Sequence, residues 1–313
     1  MKLSIVILTF NSEKYIKECI ESVYEAYPDK KNFEILVLDN GSDDNTVEIV
    51  SEDKNCKVFN FPVFSMGTSR NFGLSKAKGK YISFIDCDDR FTKNRFTRHL
   101  KILENDPNID NVIGVSKLFL KEKNKFGYKK FTLGRKLNID DYFEGKCYSL
   151  CGITYRRDFL VSNNIKFEEG IRGKFGEDWY FQTLCELKKQ YSQIDLQDSA
   201  LIQIREDSFM QIDVQRKAKC LSLIRLLEFH NSGIKVKFLT LLKLTLKYNL
   251  SKTFNKKSEF DLTLEDNLKI FFKRNPLRGF FIKIALKNIP FSKNFVIKLR
   301  EFQSKISFKN LEV

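Results

Sequence analysis

The sequence predicts an α/β fold, in which a mostly parallel sheet is flanked by helices and followed by a helical C-terminal region. Residues 3–9 form a continuous apolar run rich in β-branched residues, as in a strand covered on both faces. Strand and helix patterns then alternate to about residue 90, which is typical of a parallel sheet. From about residue 211 glycine and proline become sparse, and leucine, isoleucine, phenylalanine and lysine predict helices.

The elements of the first hundred residues follow in order. Behind the first strand, apolar residues recur at helical spacing from Tyr15 to Val23, and Ser12 is placed to cap that helix. The next predicted strands are 34–38, 57–61 and 81–85. Between them lie a polar turn at 40–45, a short helix from residue 46, and a helix or irregular helical turn at 65–77. Asp39 and Asp86 follow the second and fourth strands. Ligands of such sheets bind beyond the carboxyl ends of the strands, so both carboxylates mark a candidate site.

The rest of the chain is mixed and then helical. Residues 112–120 and 200–205 are predicted strands, 121–135 is a basic loop or exposed hairpin, and Phe175-Gly176-Glu177-Asp178 opens a helix. Four C-terminal segments have helical character, at 214–229, 234–250, 263–273 and 277–288.

Composition limits the classes of protein to which the chain can belong. The 313 residues are 42% hydrophobic and 30% charged, which predicts a folded protein, and the net charge of +15 implies a polyanionic neighbour: nucleic acid, an anionic membrane or a phosphorylated substrate. Seven scattered cysteines and two histidines argue against a disulfide framework or a zinc site and favour a reducing cytoplasm. The apolar start is interpreted as a buried strand, because polar residues follow at once without a cleavage site.

An acidic cluster follows the fourth strand. Asp86, Asp88 and Asp89 lie within four residues, and unneutralised carboxylates so close together repel one another. Hard oxygen ligands suit Mn²⁺ or Mg²⁺, which bind through one or two carboxylates together with substrate phosphates. The alternative is a solvated acidic loop.

Other candidate residues end the first two strands. Thr9, Phe10 and Asn11 lie beside the same predicted crevice, where Phe10 either stacks on a base or fills the core. Asp39 either accepts a hydrogen bond from a base or serves the Asn-Gly turn that follows it.

Three segments together resemble glycosyltransferase family 2. They are 4–11, 37–46 and 69–89, and the resemblance extends to about residue 210. It implies a GT-A (Rossmann-like) fold and inverting transfer from a sugar nucleotide. The expected domains are a glycosyltransferase domain at 1–210, with the nucleotide-sugar site in 1–110 and the acceptor side in 111–210, and a basic helical region at 211–313.

The resemblance also implies roles for individual residues. Thr9, Phe10 and Asp39 would line the nucleoside pocket with Asn11 beside them, and Asp86 would approach the ribose. Asp88 and Asp89 would lie at the Mn²⁺ or Mg²⁺ ion, and Arg70 and Asn71 would face the donor. Cys87 and Asn40 depart from the commoner pattern, which leaves the nucleotide preference open, although uridine is the usual base of the family.

Two later segments complete the candidate site. Glu177 and Asp178 resemble the family's Glu-Asp pair, with Asp178 as the base that deprotonates the acceptor and Glu177 as a supporting or acceptor-side residue. Acidic residues also stabilise a first helical turn without any catalytic role. Residues 202–208 resemble a family segment that follows the acceptor region. The rigid donor fork of Arg205 suits a diphosphate oxygen there, and the alternative is a surface ion pair with Glu206 or Asp207.

The expected function is metal-dependent transfer from a nucleotide-diphosphate donor, a UDP-sugar by resemblance, to a hydroxyl of a glycan, lipid-linked or protein-linked acceptor. Surface polysaccharide or glycoconjugate assembly is the expected setting, in the cytoplasm or on the inner face of the membrane. The basic C-terminal helices suit either an anionic membrane or packing on themselves or a second subunit. The alternative function is a nucleic-acid- or membrane-binding protein with a non-catalytic domain, but no recognisable nucleic-acid module is present.

Overall fold

The computed structural model describes most of the first 245 residues and a shorter stretch near the C-terminus. The described residues are 1–29, 32–63, 65–120, 125–128, 135–143, 145–170, 175–204, 212–237, 240–241, 245, 261–276, 278–279 and 282. The chain divides into two compact units, Met1–Ser222 and Leu223–Val313. The functional division expected at residue 210 remains a prediction.

Nine described strands form one sheet in the first unit. Their order is β3-β2-β1-β4-β8-β6-β9-β5, and β7 pairs with β6. The strands are β1 (Leu3–Thr9), β2 (Phe33–Asp39), β3 (Cys56–Asn60), β4 (Tyr81–Asp86), β5 (Arg90–Phe91), β6 (Ile109–Leu120), β7 (Lys125–Tyr128), β8 (Ile153–Arg156) and β9 (Tyr191–Ile204).

Helices cover both faces of this sheet. In the first unit they are α1 (Ile16–Ala26), α2 (Thr46–Ser51), α3 (Met66–Lys76), α4 (Arg95–Asn105), α5 (Ile139–Phe143), α6 (Arg157–Ser162) and α7 (Glu177–Lys188). Two longer helices follow, α8 (Ile212–Asn231) and α9 (Asp261–Arg274). They confirm the helices predicted at 214–229 and 263–273, whereas those predicted at 234–250 and 277–288 lie largely outside the described residues. No described helix is both long and apolar enough to cross a bilayer.

The first half of the sheet is parallel, and this arrangement places the candidate site residues at one edge of the sheet. Strands β3, β2, β1 and β4 pair in parallel, with Thr9 opposite Asp39 and Leu8 opposite Asp86. The carboxyl ends of β1, β2 and β4 therefore meet at one edge of the sheet. Every residue of β1 and β2 is buried, as their continuous apolar sequence predicts.

The second half is mixed. The long strands β6 and β9 are parallel, while β8, β7 and β5 pair antiparallel with their neighbours. Within the segment 121–135, predicted as a loop or an exposed hairpin, the described residues 125–128 form β7 and pair antiparallel with the end of β6. Strand β9 begins well before the predicted residue 200, and its pairing with β6 contains register shifts.

Two local features differ from or refine the sequence interpretation. Ser12 does not cap α1 with its side chain, because its hydroxyl donates to the carbonyl of Phe10 at 2.9 Å and the helix begins only at Ile16. Helix α3 lies directly on β1, since a Cβ atom on Gly73 would be 2.5 Å from Cγ1 of Val6. This close approach brings the side chains of α3 to the end of β4.

Candidate functional site

The end of β1 presents an aromatic side chain to solvent. Phe10 is 45% exposed, so it does not fill the core, which was the other role considered for it. Asn11 follows with a left-handed φ of 46°. Its N–H donates to Oγ of Ser42 at 2.9 Å, and its Oδ1 accepts from the N–H of Asp43 at 3.0 Å. Asn11 thus ties the end of β1 to the loop after β2.

Asp39 is buried at the end of β2 and organises its turn. Its Oδ2 accepts hydrogen bonds from the N–H groups of Gly41 and Ser42, at 3.1 and 3.0 Å, and its Oδ1 accepts from the Ser42 hydroxyl. Asp39 therefore stabilises the turn that follows β2. A carboxylate oxygen has more than one lone pair, so these bonds leave acceptor capacity for a ligand.

The acidic cluster after β4 is partly folded into the protein. Asp86 has a half-exposed side chain, and Asp88 is partly exposed. Asp89 is buried, with Oδ1 accepting from the N–H of Gln203 in β9 at 3.0 Å. Burial, together with the negative charges of Asp86 and Asp88, raises the pKa of Asp89 well above its usual range.

This cluster suits a divalent cation. In the described part of the chain, no group of three or more His, Cys, Asp or Glu residues is arranged to hold a metal by itself. Mg²⁺ and Mn²⁺, however, commonly take one or two carboxylates and complete the shell with phosphate oxygens and water. The chemistry of the donor set therefore fits a metal that arrives with a diphosphate.

Cys87 interrupts the acidic cluster without disturbing it. Its Sγ lies 2.9 Å from Oγ of Ser12. Burial raises the pKa of Cys87 to about 11, so the side chain is a neutral thiol at physiological pH.

Arg70 joins the two halves of the site. Its side chain is 4% exposed; Nη2 donates to Oδ1 of Asp86 at 2.8 Å, and Nη1 donates to Oε1 of Glu177. Burial alone would lower the pKa of Arg70, but the carboxylates of Asp86, Glu177 and Asp178 raise it above its ordinary value. Burial also raises the pKa of Glu177, against the opposing effect of Arg70.

Asn71 holds the chain segment that approaches α7. Its amide nitrogen donates to the carbonyl of Phe167 and to Oε1 of Glu169, at 2.9 and 2.8 Å, and its Oδ1 accepts from the N–H of Phe167. Thr68, one turn earlier on α3, accepts from the N–H of Gly170 at 3.1 Å. Helix α3 is therefore a support for the acceptor side of the predicted site.

Asp178 lies in the first turn of α7 and is partly exposed. Gly176 precedes the helix with a φ of 67°, and Oδ1 of Asp178 accepts from the N–H of Trp179 at 2.7 Å. The indole N–H of Trp179 donates to the carbonyl of Tyr142 at 2.6 Å, which anchors the helix start. Arg205 lies outside the described residues.

Sequence reasoning brought the right strand ends together but missed two contacts. The Arg70 bridge and the Gln203–Asp89 bond join residues 107 and 114 positions apart. No pattern in the neighbouring sequence predicts either contact, because each depends on how α7 and β9 pack against the parallel half of the sheet.

Comparison with known proteins settles the family. The sequence profile of Glycosyl transferase family 2 matches residues 4–161, half of the chain. The chain belongs to glycosyl transferase family 2. It is 30% identical over 204 residues to the minor teichoic acid biosynthesis protein GgaA of Bacillus subtilis, a match that covers 61% of this chain and 45% of that protein.

Two further curated proteins are similar over shorter stretches. A poly(ribitol-phosphate) beta-glucosyltransferase of Bacillus spizizenii is 35% identical over 197 residues, 60% of this chain and 30% of that protein. The poly(ribitol-phosphate) beta-N-acetylglucosaminyltransferase TarS of Staphylococcus aureus is 38% identical over 98 residues, 30% of this chain and 17% of TarS. The chain thus spans less than half the length of these curated relatives.

Solved structures confirm the GT-A fold class. The crystal structure of S. aureus TarS 1–349 superposes with a TM-score of 0.66 at 21% identity, covering 91% of this chain and 88% of that one. A mannosyltransferase from Pyrobaculum calidifontis, solved with GDP-Man and Mn²⁺, superposes with a TM-score of 0.52 at 14% identity, covering 99% and 87%. At these identities the likeness concerns the fold.

Proposed function

We propose that this chain is a metal-dependent, inverting glycosyltransferase that moves a sugar from a UDP-sugar to a hydroxyl group of a surface-polysaccharide precursor. One observation carries the proposal. Arg70 joins Asp86, at the end of a donor-side strand, to Glu177, the neighbour of the candidate base Asp178. This bridge supports a site in which the carboxylates proposed for donor binding and for acceptor chemistry lie close together.

The donor half is formed by the ends of β1 and β2. The exposed ring of Phe10 offers a stacking surface for a base, and Asp39, opposite Thr9, offers an acceptor for a base N–H. Uracil presents one such N–H. TarS, a protein of the same fold, has been solved with UDP-GlcNAc, and this supports the proposal of a uridine donor.

The metal would be held by Asp88 and Asp89, and when bound it supplies charge neutralisation for the leaving diphosphate. Asp86 remains fixed by Arg70 and is available to the ribose side of the donor. The mannosyltransferase from Pyrobaculum calidifontis was solved with Mn²⁺, which supports the proposal of Mn²⁺ as the ion.

The chemical step rests on Asp178. Its carboxylate takes the proton of the acceptor hydroxyl as that oxygen attacks the anomeric carbon, and the bond to the nucleoside diphosphate breaks on the opposite face. A single displacement of this kind inverts the anomeric configuration. Asp178 lies in the first turn of α7, and its partly exposed side chain leaves the carboxylate accessible to an acceptor hydroxyl.

The acceptor is proposed to be an anionic, phosphate-containing polymer or its lipid-linked precursor, handled on the cytoplasmic side of the membrane. The net charge of +15 favours a polyanion, and relatives carry names from teichoic acid and poly(ribitol-phosphate) glycosylation. Contact of the basic C-terminal helices with anionic lipid or with a second subunit stays a prediction.

Thermal stabilisation by a panel of sugar nucleotides tests the donor site. UDP-, GDP-, CMP- and dTDP-sugars are each compared with Mn²⁺ and with EDTA, because a ligand that binds the native state raises its melting temperature. We expect a Mn²⁺-dependent shift with the UDP-sugars. No shift with any sugar nucleotide, in a protein shown to be folded, would overturn the proposal.

A further inference from the structure

The arginine at the centre of the site is enclosed by protein. Arg70 is 4% exposed, both of its Nη atoms are bonded to carboxylates, and its Cζ lies 5.6 Å from the ring centroid of Phe167. The two carboxylates come from different parts of the fold, Asp86 from the end of β4 and Glu177 from the start of α7. The guanidinium is therefore a crosslink between the donor-side strand and the helix that carries Asp178.

Stability alone is a poor explanation for this crosslink. Burying charged groups is costly, and replacing a buried ion pair by well-packed apolar residues is often neutral or stabilising. A planar guanidinium, by contrast, presents donors in a fixed fork, so it sets the distance and angle between two carboxylates in a way that a single ammonium does not. The geometry of Arg70 is therefore better suited to positioning the two carboxylates than to stabilising the fold.

We propose that Arg70 is a positioning residue that fixes α7 relative to Asp86, and that Glu177 is the anchor of that helix rather than an acid or base. The inference rests on the proposed function and replaces the expectation that Arg70 faces the donor. Glu177 and Asp178 are adjacent in the first turn of α7, so a shift of the Glu177 anchor moves Asp178 with it. A misplacement of about 1 Å in a reacting group costs about 10²-fold in rate.

The first test compares Arg70→Lys with Arg98→Lys. Arg98 is the matched control, because it lies on a different helix, α4, and also pairs with a poorly exposed carboxylate. Its Nε lies 2.9 Å from Oδ2 of Asp195. We expect Arg70→Lys to lower kcat by about 10²-fold with the donor KM changed less than about threefold, and Arg98→Lys to leave both constants near wild type. A loss of donor affinity with kcat unchanged would instead assign Arg70 to donor binding and overturn the proposal.

The second test separates anchoring from proton transfer at Glu177. Glu177→Gln keeps an oxygen that accepts from Nη1 of Arg70, whereas Glu177→Ala removes it. We expect Glu177→Gln to retain most of kcat and Glu177→Ala to lose about as much as Arg70→Lys. If Gln and Ala are equally inactive while both proteins stay folded, Glu177 acts chemically and the anchor role is wrong.

A third measurement does not depend on activity. Backbone amide exchange of residues 179–183 is followed in the free proteins, and Arg70→Lys should exchange about tenfold faster there than wild type or Arg98→Lys, because its helix start has lost a fixed anchor. Unchanged exchange would overturn the positioning role even in an active enzyme. If the wild-type protein transfers no sugar from any donor, the proposed function fails, and the exchange result still decides whether Arg70 holds α7.

Discussion

The backbone N–H of Gln203 in β9 donates to Oδ1 of Asp89 at 3.0 Å, across 114 positions of sequence. This bond fixes the last carboxylate of the acidic cluster against the second half of the sheet. It also places that carboxylate where burial and its acidic neighbours raise its pKa. Asp89 is therefore packed into the fold, whereas Asp86 and Asp88 stay partly exposed.

Replacing Asp89 by asparagine should separate the fold from metal-dependent binding. Asparagine keeps an oxygen for the N–H of Gln203 but cannot carry the negative charge that burial, Asp86 and Asp88 disfavour at this position. We expect Asp89→Asn to melt at or above the wild-type temperature, and to lose the additional stabilisation that Mn²⁺ gives in the presence of a UDP-sugar. Differential scanning fluorimetry with Mn²⁺ or EDTA measures both quantities.

Asp110→Asn is the matched control for Asp89→Asn. Asp110 is also a buried aspartate that accepts a backbone N–H, from Gln190 at 2.6 Å, but it lies at the start of β6. It should keep the full Mn²⁺-dependent shift. A wild-type-like shift in Asp89→Asn would show that Asp89 is not needed at the metal.

Removing the charge of Asp178 should abolish transfer and spare donor binding. A carboxamide cannot take the proton of the acceptor hydroxyl, and proton transfer by a positioned carboxylate contributes about 10²–10⁴-fold. We expect Asp178→Asn to lower kcat by about 10³-fold, with the UDP-sugar affinity within about twofold of wild type. Asp158→Asn, an exposed aspartate in the first turn of α6, is the control and should leave kcat unchanged. Equal loss of donor affinity and kcat in Asp178→Asn would make Asp178 structural.

The sequence predicted the parallel half of the fold and its site edge because those features are local. Continuous apolar runs identify buried strands, and a carboxylate directly after such a run must lie at the edge. The short strand β8 carries no comparable signal, since its four residues become a strand only by pairing with β4 and β6. For the same reason the sequence does not predict the contacts of Arg70: motif position places the residue near the site, but only packing shows which carboxylates it meets.

Phe10 should contribute to nucleotide binding and hardly to stability. Its ring is 45% exposed, so truncation to alanine removes little buried area, whereas stacking of a base on an aromatic ring is worth about 1–3 kcal/mol. We expect Phe10→Ala to weaken UDP binding about tenfold with a melting temperature close to wild type, and Phe10→Tyr to keep the affinity. Isothermal titration with UDP and Mn²⁺ makes the measurement. Phe126→Ala, which truncates a comparably exposed ring on β7, is the control, and an equal effect in both variants would rule out stacking at Phe10.

His99 should make the fold sensitive to mild acid. Its ring is fully buried, with Nδ1 2.8 Å from Oγ1 of Thr154 and Nε2 3.1 Å from Oγ of Ser199. Burial, aided by the charges of Arg95 and Arg98 and opposed by Asp195, lowers the pKa of His99 to about 4.

The direction of this pH dependence follows from linkage. An unfolded histidine titrates near pH 6.5, so between about pH 6.5 and 4 the unfolded chain binds a proton that the folded chain does not bind. The contribution of His99 is therefore complete above about pH 6.5 and is lost as the pH falls towards 4, by roughly 2.5 kcal/mol between pH 7.5 and 4.5. Asp195 adds little in this window. Although burial acts in the opposite direction, hydrogen bonds from His99, Arg98 and the N–H of Gln197 hold the pKa of Asp195 below the usual range. The folded chain therefore keeps Asp195 charged, and an unfolded aspartate takes up its proton mainly below about pH 4.

Urea unfolding of wild type and His99→Gln at pH 7.5 and 4.5 checks this prediction. Glutamine retains a donor and an acceptor for the buried hydroxyls but does not titrate, so it removes the histidine contribution while leaving the carboxylates that titrate in both proteins. We expect the loss of unfolding free energy on acidification to be smaller in His99→Gln by about 2 kcal/mol, even though the variant is less stable than wild type at pH 7.5. Equal losses in the two proteins would mean that His99 accepts a proton in the folded state at its ordinary pKa, and that the network of Thr154, Ser199 and Asp195 accommodates the charge.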